Sequence, residues 1–452
     1  MAHDYTSIVH TRTQPVVAHR LRANLIAFLH PIAVSLVAQL DSRLVQTFLQ
    51  LVYVILLHRH RNNGLLLSEL GGYLLNPAQA PAGAKRISNL LRAPHWSADM
   101  INAFLWQQAD ARVQELVAAA QQVLLIWDGS VWEKPESQTN PDWCLVRSAK
   151  ARRLSRRRKG LTRPHQGPPI LAPGLHWEGL AVAGMTDAPT IAHMEWWTTR
   201  GPHATTQRAV EHALLERSAR AWGRLVWHIW DRGYAASAWI QAALTAGVRF
   251  VVRWKKGAKL LDNWGEEQAA GAIGRGKRSV AYRYLVDPHT KETIKVGVVA
   301  VAVTLPDHPH PLWLIIARLG QGREPWYLLT AEPPTSHARI WQVGDAYIRR
   351  WQIEVIWRYS KSELAFESPR VWAWETRRKL LLIAALAYAF LIHLLKTSFA
   401  ELRAFILRNW CHRTGKRYED VEMPLYRLRM AISRLWQDMP SPGYHLPLLN
   451  SG

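Results

Sequence analysis

The first quarter of the chain has apolar residues at the spacing of amphipathic helices. They recur at every third or fourth position, which places them on one helix face and lets that face pack into a core. Asn62, Asn63 and Gly64 form a helix-ending cluster after the longest apolar stretch. The pattern predicts helical segments at residues 21–29, 32–57, a short unit opening at 68, 85–92 and 97–120.

Between residues 121 and 254, short apolar runs alternate with helical spacing, which is typical of an α/β arrangement. One run ends at Asp128 and another ends at Asp231, and both have the length and continuity of buried strands. Each Asp follows a Trp and precedes a turn residue, so each is predicted to lie where its strand ends. Further strands are predicted at 175–183, 190–198 and 248–253, with a helix at 207–221 and another helix before residue 248.

Residues 255–333 are rich in β-branched and aromatic residues separated by Gly and Pro. This composition predicts strands at residues 279–286, 293–305 and 311–317. Helical spacing returns after residue 333, and the tail is predicted to be helical at 402–410 and 425–436. Two roles for the tail stay open, a contact between two copies of the chain and a cap on the core of its own chain.

Four polar residues in one helix-like stretch, 347–364, follow the spacing Tyr-x2-Arg-x3-Glu-x6-Lys: Tyr347, Arg350, Glu354 and Lys361. At about 100° per residue, their side chains fall within roughly 60° of arc on one helix face. A carboxylate flanked by two cations and a phenol suits a phosphodiester together with a divalent metal. The alternative is an ordinary amphipathic helix with a solvated charged face. The apolar residues of the opposite arc, predicted to be buried, are Ile348, Val355, Ile356 and Tyr359.

Asp128 and Asp231 add two carboxylates to this picture. An acid placed where a strand leaves the core is costly unless it is paired or bound to a metal. The alternative for each residue is a turn Asp that caps backbone amides. Two strand-end acids combined with a cationic helix that carries a third acid favour a site for phosphoryl chemistry.

The two Asp residues followed by the distant Glu354 resemble the DDE transposases of bacterial insertion sequences, specifically the insertion-sequence-four type with the Tyr-Arg-Glu-Lys signature. The resemblance covers roughly residues 50–398. It implies an α/β fold with an RNase H-like catalytic core and a mainly β insertion. The implied parts are a helical DNA-binding domain (1–120), the first part of the core (121–254), the β-rich insertion (255–333), the second part of the core (334–398) and a helical tail (399–452).

The resemblance implies cut-and-paste DNA transposition by two-metal phosphoryl transfer. Asp128, Asp231 and Glu354 are expected to be catalytic and to hold two Mg2+ ions, with Mn2+ as a substitute. Excision is expected to pass through a DNA hairpin and to be followed by strand transfer into target DNA. The expected partners are double-stranded DNA, both terminal inverted repeats and target, and a second copy of the chain in a homodimer on the paired ends.

Several side chains are expected to contact DNA. From the resemblance, Tyr347, Arg350 and Lys361 should hold the terminal phosphates. Trp326 and Trp351 should stack on a base flipped out near the cleaved end, with core packing as the alternative for both. The predicted helix at 85–92 presents polar side chains that suit phosphates or base edges, although an ordinary surface helix has the same pattern. These side chains are Lys85, Arg86, Asn89 and Arg92.

The overall charge is consistent with this resemblance. The chain contains 57 Lys and Arg against 34 Asp and Glu, which gives a net charge of +23 and a pI near 10.4. Such a balance indicates a polyanionic partner, and charge alone leaves DNA, RNA and anionic membranes open. The densest basic cluster is at residues 147–163, for which a solvated loop is the alternative. Two rival functions remain: a catalytically inert DNA-binding protein derived from a transposase, and another RNase H-like DNA endonuclease.

The cysteines and the N-terminus favour the cytoplasm. Cys144 and Cys411 form no CxxC pair, so neither a zinc ribbon nor a disulfide framework is predicted. Residues 1–16 lack the charged segment and hydrophobic core of a secretory signal. The apolar run at 380–395 is short for a membrane span and is interpreted as a buried core helix. We therefore expect a bacterial cytoplasmic protein, associated with the nucleoid and without a membrane partner.

Overall fold

The computed structural model has a mixed α/β architecture. It describes residues 4–58, 62–137, 139–148, 168–186, 188–286, 293–320, 323–411 and 423–439, with side chains from residue 14 onward. Most of the basic cluster predicted at 147–163 lies outside the described residues.

Helices occupy both ends of the chain and alternate with strands in the middle. The helices are α1 (Asp4–Val37), α2 (Ser42–Leu57), α3 (Leu67–Leu74), α4 (Ala80–Arg92), α5 (Asp99–Ala118), α6 (Gln207–Trp222), α7 (Ser237–Thr245), α8 (Ala270–Ile273), α9 (His337–Arg349), α10 (Trp351–Glu363), α11 (Trp374–His393), α12 (Ala400–Trp410) and α13 (Leu425–Gln437). The strands are β1 (Val123–Glu133), β2 (Cys144–Arg147), β3 (Leu171–Ala183), β4 (Thr190–Trp197), β5 (Val226–Trp230), β6 (Arg249–Arg253), β7 (Lys259–Leu261), β8 (Glu267–Ala269), β9 (Ala281–Val286), β10 (Thr293–Leu305), β11 (His308–Leu319) and β12 (Trp326–Thr330).

The predicted N-terminal helices are confirmed, but the break predicted between residues 29 and 32 is wrong, because α1 continues through these residues. The segment predicted at 32–57 is divided, because α1 ends at Val37 and α2 begins at Ser42. Asp41 caps α2, since its Oδ1 accepts hydrogen bonds from the backbone N–H groups of Arg43 at 2.9 Å and Leu44 at 3.0 Å. The apolar spacing runs across this break, so hydrophobic periodicity alone does not locate it.

Helices α3 and α4 approach each other at two glycines. A Cβ at Gly83 would lie 2.2 Å from the carbonyl oxygen of Gly71, and a Cβ at Gly71 would lie 2.4 Å from the carbonyl oxygen of Ala80. Only glycine permits such an approach, because any larger residue would place its Cβ inside the backbone of the partner helix. The crossing fixes the position of α4, the helix that carries Lys85.

The N-terminal and C-terminal helices share one core. Residues 380–392 of α11 are buried, and this helix packs against α2, α4 and α5. The prediction of a buried core helix at 380–395 is therefore confirmed. Helix α13 also packs on α2, and the buried Arg429 of α13 donates to the carbonyl oxygen of Ile55 at 2.6 Å. For this helix the structure shows the role of a cap on its own chain, and the dimer contact stays a prediction.

Helix α1 contains an apolar segment, Gln14–Val37, that is long and apolar enough to cross a membrane by length and composition. In the folded chain, Leu21, Leu25 and Leu29 of this segment are buried in the core shared by the terminal helices. The burial of these side chains accounts for their apolar character by packing within the protein.

In the described part of the chain the strands form a 12-stranded sheet. Its order is β2-β3-β1-β5-β6-β12-β11-β10-β7-β8, with β4 paired to β3 and β9 paired to β10. The predicted strand at 293–305 coincides with β10. The β-rich region continues the sheet of the central region, because β12 pairs with β6 and Leu328 lies opposite Arg253. The insertion is therefore not a separate layer.

Strand β1 is longer than predicted, so the prediction that it ends at Asp128 is wrong. Antiparallel pairing with β3 continues from Leu124 opposite Ala183 to Glu133 opposite Gly174. The parallel neighbour β5 is shorter and ends at Trp230. Asp128 therefore lies within a strand, at the level where the neighbouring strand on one side has ended.

Helices cover both faces of the sheet. On one face, α9, α10 and the terminal helices pack over Leu124 and Ile126. On the other face, α6, α7 and α8 pack over residues that include Leu125 and Trp127. We call these the α9–α10 face and the α6–α7 face. Because side chains alternate along a strand, Asp128 belongs to the α9–α10 face.

Candidate active site

Asp128 and Asp231 lie at the same level of two neighbouring parallel strands. The register of β1 and β5 runs from Val123 opposite Val226 to Ile126 opposite Ile229. Asp128 follows Ile126 by two residues, and Asp231 follows Ile229 by two residues. Parallel pairing therefore brings together two carboxylates that are separated by about a hundred residues in sequence.

Asp231 also caps the turn that follows its strand. Its Oδ1 accepts a hydrogen bond from the backbone N–H of Gly233 at 2.6 Å, within the 3-10 turn Arg232–Tyr234. The structure thus shows the capping role that was the alternative prediction for this residue. The bond also fixes the orientation of the carboxylate at the end of β5.

Glu354 stands in the first turn of α10 and is paired with Arg350. The Nη2 of Arg350 donates to Oε1 of Glu354 at 2.6 Å, and the side chain of Glu354 is 30% exposed whereas that of Arg350 is 8% exposed. This geometry is a charge-assisted hydrogen bond across one helical turn. Within the protein, the third carboxylate therefore already has a cationic partner.

Lys361 connects the last turn of α10 to β1. Its Nζ donates to Oγ of Ser130 at 2.5 Å and lies 5.7 Å from the ring centroid of Trp177. Ser130 follows Asp128 by two residues on the same strand. The bond therefore holds the C-terminal part of α10 beside the first aspartate.

A glycine lets α10 approach the sheet closely. Gly179 lies opposite Asp128 in the pairing of β3 with β1. A Cβ at Gly179 would lie 2.2 Å from Cζ2 of Trp357, a buried residue of α10. Only a residue without a side chain leaves room for this indole. The contact therefore sets the height of α10, and with it the position of Glu354, above the strand that carries Asp128.

The charged groups of the site share one electrostatic environment. The pKa of Asp128 is raised to about 7, chiefly by burial. Arg350 and Lys361 lower this pKa, and Asp231 and Glu354 raise it. These four groups therefore lie within electrostatic interaction distance of Asp128, and two of them are carboxylates.

The donor set fits a divalent cation by chemistry and charge. Hard cations such as Mg2+ prefer carboxylate oxygens, and three carboxylates converge on this region. Among the described residues, however, no three His, Cys, Asp or Glu side chains lie in an arrangement that could hold a metal ion. The ion pair of Glu354 with Arg350 engages one of the three carboxylates.

The prediction that Tyr347, Arg350, Glu354 and Lys361 belong to one uninterrupted helix is wrong. The helical stretch is interrupted at Arg350, which ends α9 and precedes α10. Tyr347 is 1% exposed and Arg350 is 7% exposed. The ring of Tyr347 packs edge to face against Trp326, with centroids 5.4 Å apart. Packing against Trp326 of β12 therefore buries Tyr347. The guanidinium of Arg350 lies over the Tyr347 ring, so both residues are shielded from the solvent.

The opposite side of the same stretch is also not buried as predicted. Ile356 and Tyr359 are buried, but Ile348 is 36% and Val355 is 38% exposed. Trp351 is 45% exposed and lies between these two residues in sequence. Arg350 keeps helical backbone angles (φ -53°, ψ -32°), and the exposed positions 348, 351 and 355 follow each other at helical spacing, so they form one solvent-facing side of the stretch. An apolar strip at the surface thus flanks Glu354.

Trp326 is half-buried and its surroundings combine the two alternatives predicted for it. Its ring packs edge to face against Tyr347, as a core residue does. The guanidinium of Arg253 lies 5.5 Å from its ring centroid. Trp351 is more exposed and lies directly beside Arg350 in the chain. The stacking of a DNA base on either residue stays a prediction.

The predicted basic helix is α4, at a distance in sequence from the carboxylates. Lys85 and Arg92 are exposed, but Arg86 is partly buried and its Nε donates to Oγ1 of Thr47 at 2.8 Å. Lys85, Arg86 and Asn89 line a groove between α4 and the start of α2. Contact of this groove with DNA stays a prediction.

Glu178 and Tyr234 are two site residues that the sequence pattern missed. The hydroxyl of Tyr234 donates to Oε1 of the fully buried Glu178. Burial raises the pKa of Glu178 well above its usual value, the bond from Tyr234 opposes this, and nearby carboxylates including Asp231 raise it further. The bond ties the turn after Asp231 to β3. The available signal was a charged residue inside an otherwise apolar strand pattern at 175–183.

Comparison with known proteins gives a family match and similarity to solved structures. Residues 198–390 match the family model of the transposase DDE domain, a range that includes Asp231 and Glu354 but not Asp128. No curated protein matches the chain. The fold is similar to the cryo-EM structure of a piggyBac transposase synaptic complex with hairpin DNA, at a TM-score of 0.42 and 10% sequence identity, over 89% of this chain and 74% of that chain.

Proposed function

We propose that this chain is a DDE-type DNA transposase, which excises a bacterial insertion sequence of the insertion-sequence-four type and joins it to target DNA. The match of residues 198–390 to the transposase DDE domain supports this proposal. The net charge of +23 is consistent with a DNA partner. The observation that carries the proposal is the level placement of Asp128 and Asp231 on parallel strands, with Glu354 in the same electrostatic environment.

In this proposal the central region is an RNase H-like core. Strands β1, β3 and β4 are antiparallel neighbours, and β5 and β6 continue from β1 in parallel. This order is consistent with such a core, in which two neighbouring strands bring two catalytic acids together. The β-rich region is then the insertion between the second acid and Glu354.

Arg350 has two roles in the proposed reaction. In the isolated chain it is bound to Glu354, and a phosphate group of DNA would compete for the same guanidinium because phosphate accepts two parallel hydrogen bonds from it. Exchange of Glu354 for phosphate would release the carboxylate toward Asp128 and Asp231. Substrate binding and assembly of the three acids are thereby coupled. Lys361 would contribute a second cation to the same phosphate-binding region.

Asp128, Asp231 and Glu354 are the residues that would hold two Mg2+ ions, or Mn2+ in their place. When bound, such cations supply Lewis-acid activation of the attacking and leaving oxygens. At each end of the element, a water oxygen forms a bond to phosphorus as the 3′ oxygen leaves. The resulting 3′-hydroxyl attacks the opposite strand to form a hairpin, which is reopened by water. In strand transfer the 3′-hydroxyl attacks a target phosphodiester. In each of these steps one P–O bond forms and one P–O bond breaks.

The proposed function includes a second copy of the chain and a location in the cell. The protein would act as a homodimer on two paired DNA ends in the bacterial cytoplasm. Tyr347, buried against Trp326, would position Arg350 through its contact with that guanidinium. Trp351 is exposed beside Arg350 and is the better placed of the two Trp residues to stack on a base at the cleaved end.

The test is cleavage of a labelled linear DNA that carries the element's terminal repeat. Purified full-length protein is incubated with Mg2+ or with EDTA, and the products are resolved on a denaturing gel. We expect metal-dependent cuts at the repeat boundary together with hairpin or joined products. Asp128→Asn, Asp231→Asn and Glu354→Gln should abolish the cuts, whereas the control Glu401→Gln, an exposed acid in α12, should not.

Three results would contradict the proposal. Cleavage at the wild-type rate by the three acid variants would remove these residues from the active site. Binding without any cut, in the presence of Mg2+ or Mn2+, would indicate the inert DNA-binding protein. Metal-dependent cuts that ignore the repeat and never yield joined products would indicate another DNA endonuclease.

A further inference from the structure

Three aromatic side chains of the β-rich region are unusually exposed. Trp264 is 78% exposed, Tyr284 is 71% exposed and Tyr282 is 54% exposed. We call these three residues the aromatic surface. Contiguous exposed apolar groups on a folded protein commonly mark a binding site, since burying them on a partner gains the free energy that folding left unused.

Strand register places the two tyrosines on one face of the sheet. In the pairing of β9 with β10, Tyr284 lies opposite Lys295 and Tyr282 lies opposite Gly297. Along β10, residue 297 alternates in step with Val299, which is packed in the core of the α6–α7 face. Tyr282 and Tyr284 are thus exposed residues on a continuation of that face. Trp264 is linked to this region by Lys277, whose carbonyl oxygen accepts a hydrogen bond from Arg318.

The residue between the two tyrosines points the other way. Arg283 donates to Oδ2 of Asp345 on α9 at 3.0 Å and lies 4.7 Å from the ring centroid of Trp341. Helix α9 therefore covers the α9–α10 face of β9. The aromatic surface consequently lies on the side of the sheet opposite to α10 and the candidate active site.

The aromatic surface is built from fixed parts. A Cβ at Gly297 would lie 2.9 Å from Cε1 of Tyr282, so the tyrosine ring rests directly on the glycine. Arg318, opposite Gly297 on β11, donates to Oγ of Ser279 at 3.2 Å and to the carbonyl oxygen of Lys277 at 2.6 Å. These bonds hold the segment that leads into β9.

Cations lie directly beside the exposed rings. The Nζ of Lys295 lies 4.4 Å from the ring centroid of Tyr282, and the Nζ of Lys277 lies 5.7 Å from that of Trp264. Residues 268–286, which include both tyrosines, contain no Asp or Glu. The four cations of this stretch are Arg275, Lys277, Arg278 and Arg283. Trp264 lies before this stretch, between Asp262 and Glu266, and the neighbouring Glu267 is paired with Lys259 at 2.6 Å.

This combination selects the occupant. Flat rings in open solvent interleaved with cations suit a polymer that offers both phosphates and unstacked bases, which is a single strand of DNA. Intact duplex DNA keeps its base faces inside the helix and would gain only the charge contacts. A second copy of the chain would bring the same cations against this patch, so like-charge repulsion disfavours it.

We propose that the aromatic surface binds unpaired DNA, with bases stacked on Tyr284 and Trp264 and phosphates paired with Lys295 and Lys277. This inference rests on the proposed function for its source of single strands, because excision through a hairpin opens DNA near the cleaved end. The binding itself requires no cleavage. It can therefore be measured separately from the reaction at Asp128, Asp231 and Glu354.

The test measures the affinity of the full-length protein for two fluorescein-labelled probes by anisotropy, a 20-nucleotide oligo(dT) strand and a 20-base-pair duplex. The double variant Trp264→Ala, Tyr284→Ala should bind the single strand at least about 10-fold more weakly, because each lost stacking contact has a large effect, while duplex affinity should change less than about twofold. The matched control is Trp372→Ala, a substitution of another exposed tryptophan (58% exposed) outside this region. It should leave both affinities unchanged.

A second variant separates loss of stacking from loss of folding. Tyr284→Phe keeps the aromatic ring and should bind the single strand like the wild type. Unchanged single-strand affinity in the double variant overturns the proposal. A shift of the double variant toward smaller species in sedimentation, with DNA affinities unchanged, also overturns it and assigns the surface to a contact between copies.

The proposal and the proposed function can fail separately. If the wild type makes no metal-dependent cuts at terminal repeats but the double variant still loses single-strand affinity, the transposase function fails and the single-strand site stands. If cuts occur at the wild-type rate and single-strand affinity is unchanged in the double variant, the single-strand site fails alone.

Discussion

The candidate active site and the aromatic surface lie on opposite faces of one sheet and hold their charges in opposite ways. At the active site, three carboxylates crowd together and the neighbouring cations Arg350 and Lys361 already have partners inside the protein. On the aromatic surface, Lys277 and Lys295 lie beside exposed rings, and neither pairs with a carboxylate among the described residues. A site with internal partners must exchange them before it binds a ligand. A surface with exposed cations can bind a ligand without rearrangement.

The largest expected effect separates the two regions by function. Glu354→Gln should lower the rate of end cleavage by more than about 100-fold, since even outer partners of metal ligands commonly contribute roughly 10–100-fold. Affinity for single-stranded DNA should not change, because α10 lies on the opposite face from the aromatic surface. Gel-based cleavage rates and anisotropy on the same preparation check both statements. A comparable loss in both assays would mean that the two faces do not act separately.

The next effect concerns the contact that seats α10. Gly179→Val should destabilise the protein by roughly 1–3 kcal/mol, because the new side chain overlaps the Trp357 indole. Cleavage should fall with it, since Glu354 moves away from the strand. The matched control is Gly344→Ala in α9, where an added Cβ meets nothing within 4 Å. This control should stabilise the helix by up to about 1 kcal/mol.

Denaturant unfolding followed by circular dichroism measures both glycine variants. Equal midpoints for the wild type and Gly179→Val would show that Trp357 can move aside at no cost. In that case the contact at Gly179 would not determine the height of α10.

A smaller effect is expected behind the carboxylates. Tyr234→Phe removes the hydroxyl that donates to the buried Glu178 and should cost about 1–3 kcal/mol of unfolding free energy. Cleavage should also slow, because the turn after Asp231 loses its bond to β3. Tyr284→Phe makes the same chemical change at an exposed position and should leave stability unchanged. Chemical unfolding measures both, and equal stability of the two variants would contradict the role assigned to the buried pair.

The smallest expected effect concerns the charge of Lys295 on the aromatic surface. Lys295→Ala should reduce the slope of log affinity against log salt for single-stranded DNA by about one charge. Removal of one phosphate contact weakens binding modestly at any one salt concentration, so the slope is the more sensitive quantity. Anisotropy titrations at several NaCl concentrations provide it. An unchanged slope would place Lys295 outside the DNA contact and leave it as a partner of Tyr282 alone.

The positions of helices and strands were predicted from the sequence better than the pairing between strands. Apolar periodicity located the N-terminal helices and the strands, including β10 to the residue, because period and composition are local properties. The pairing of β12 with β6 was not predictable, since register between distant segments has no local signal. The length of β1 was missed for the same reason, because β3 extends it through Asp128.

The candidate site shows the same division. Residue spacing identified Arg350 and Glu354 as neighbours, and the structure pairs them at 2.6 Å. Burial was predicted less well, because Ile348 and Val355 of the arc expected to be buried are exposed, whereas Tyr347 and Arg350 are buried. Residue spacing determines which side chains share one face of a helix. It does not show which face the rest of the protein covers, and Trp326, which packs on Tyr347, belongs to a different element.

The pairing of β12 with β6 has a mechanical consequence. It joins the β-rich region to the central region by the same ladder of backbone hydrogen bonds that holds the strands of each region. A hinge needs a few residues whose backbone can rotate freely, and the pairing of Leu328 with Arg253 and of Leu329 with Val252 restrains the backbone at this junction. Strand pairing therefore restrains the distance between the carboxylates and the aromatic surface. Any DNA that contacts both must bend or open to fit the protein.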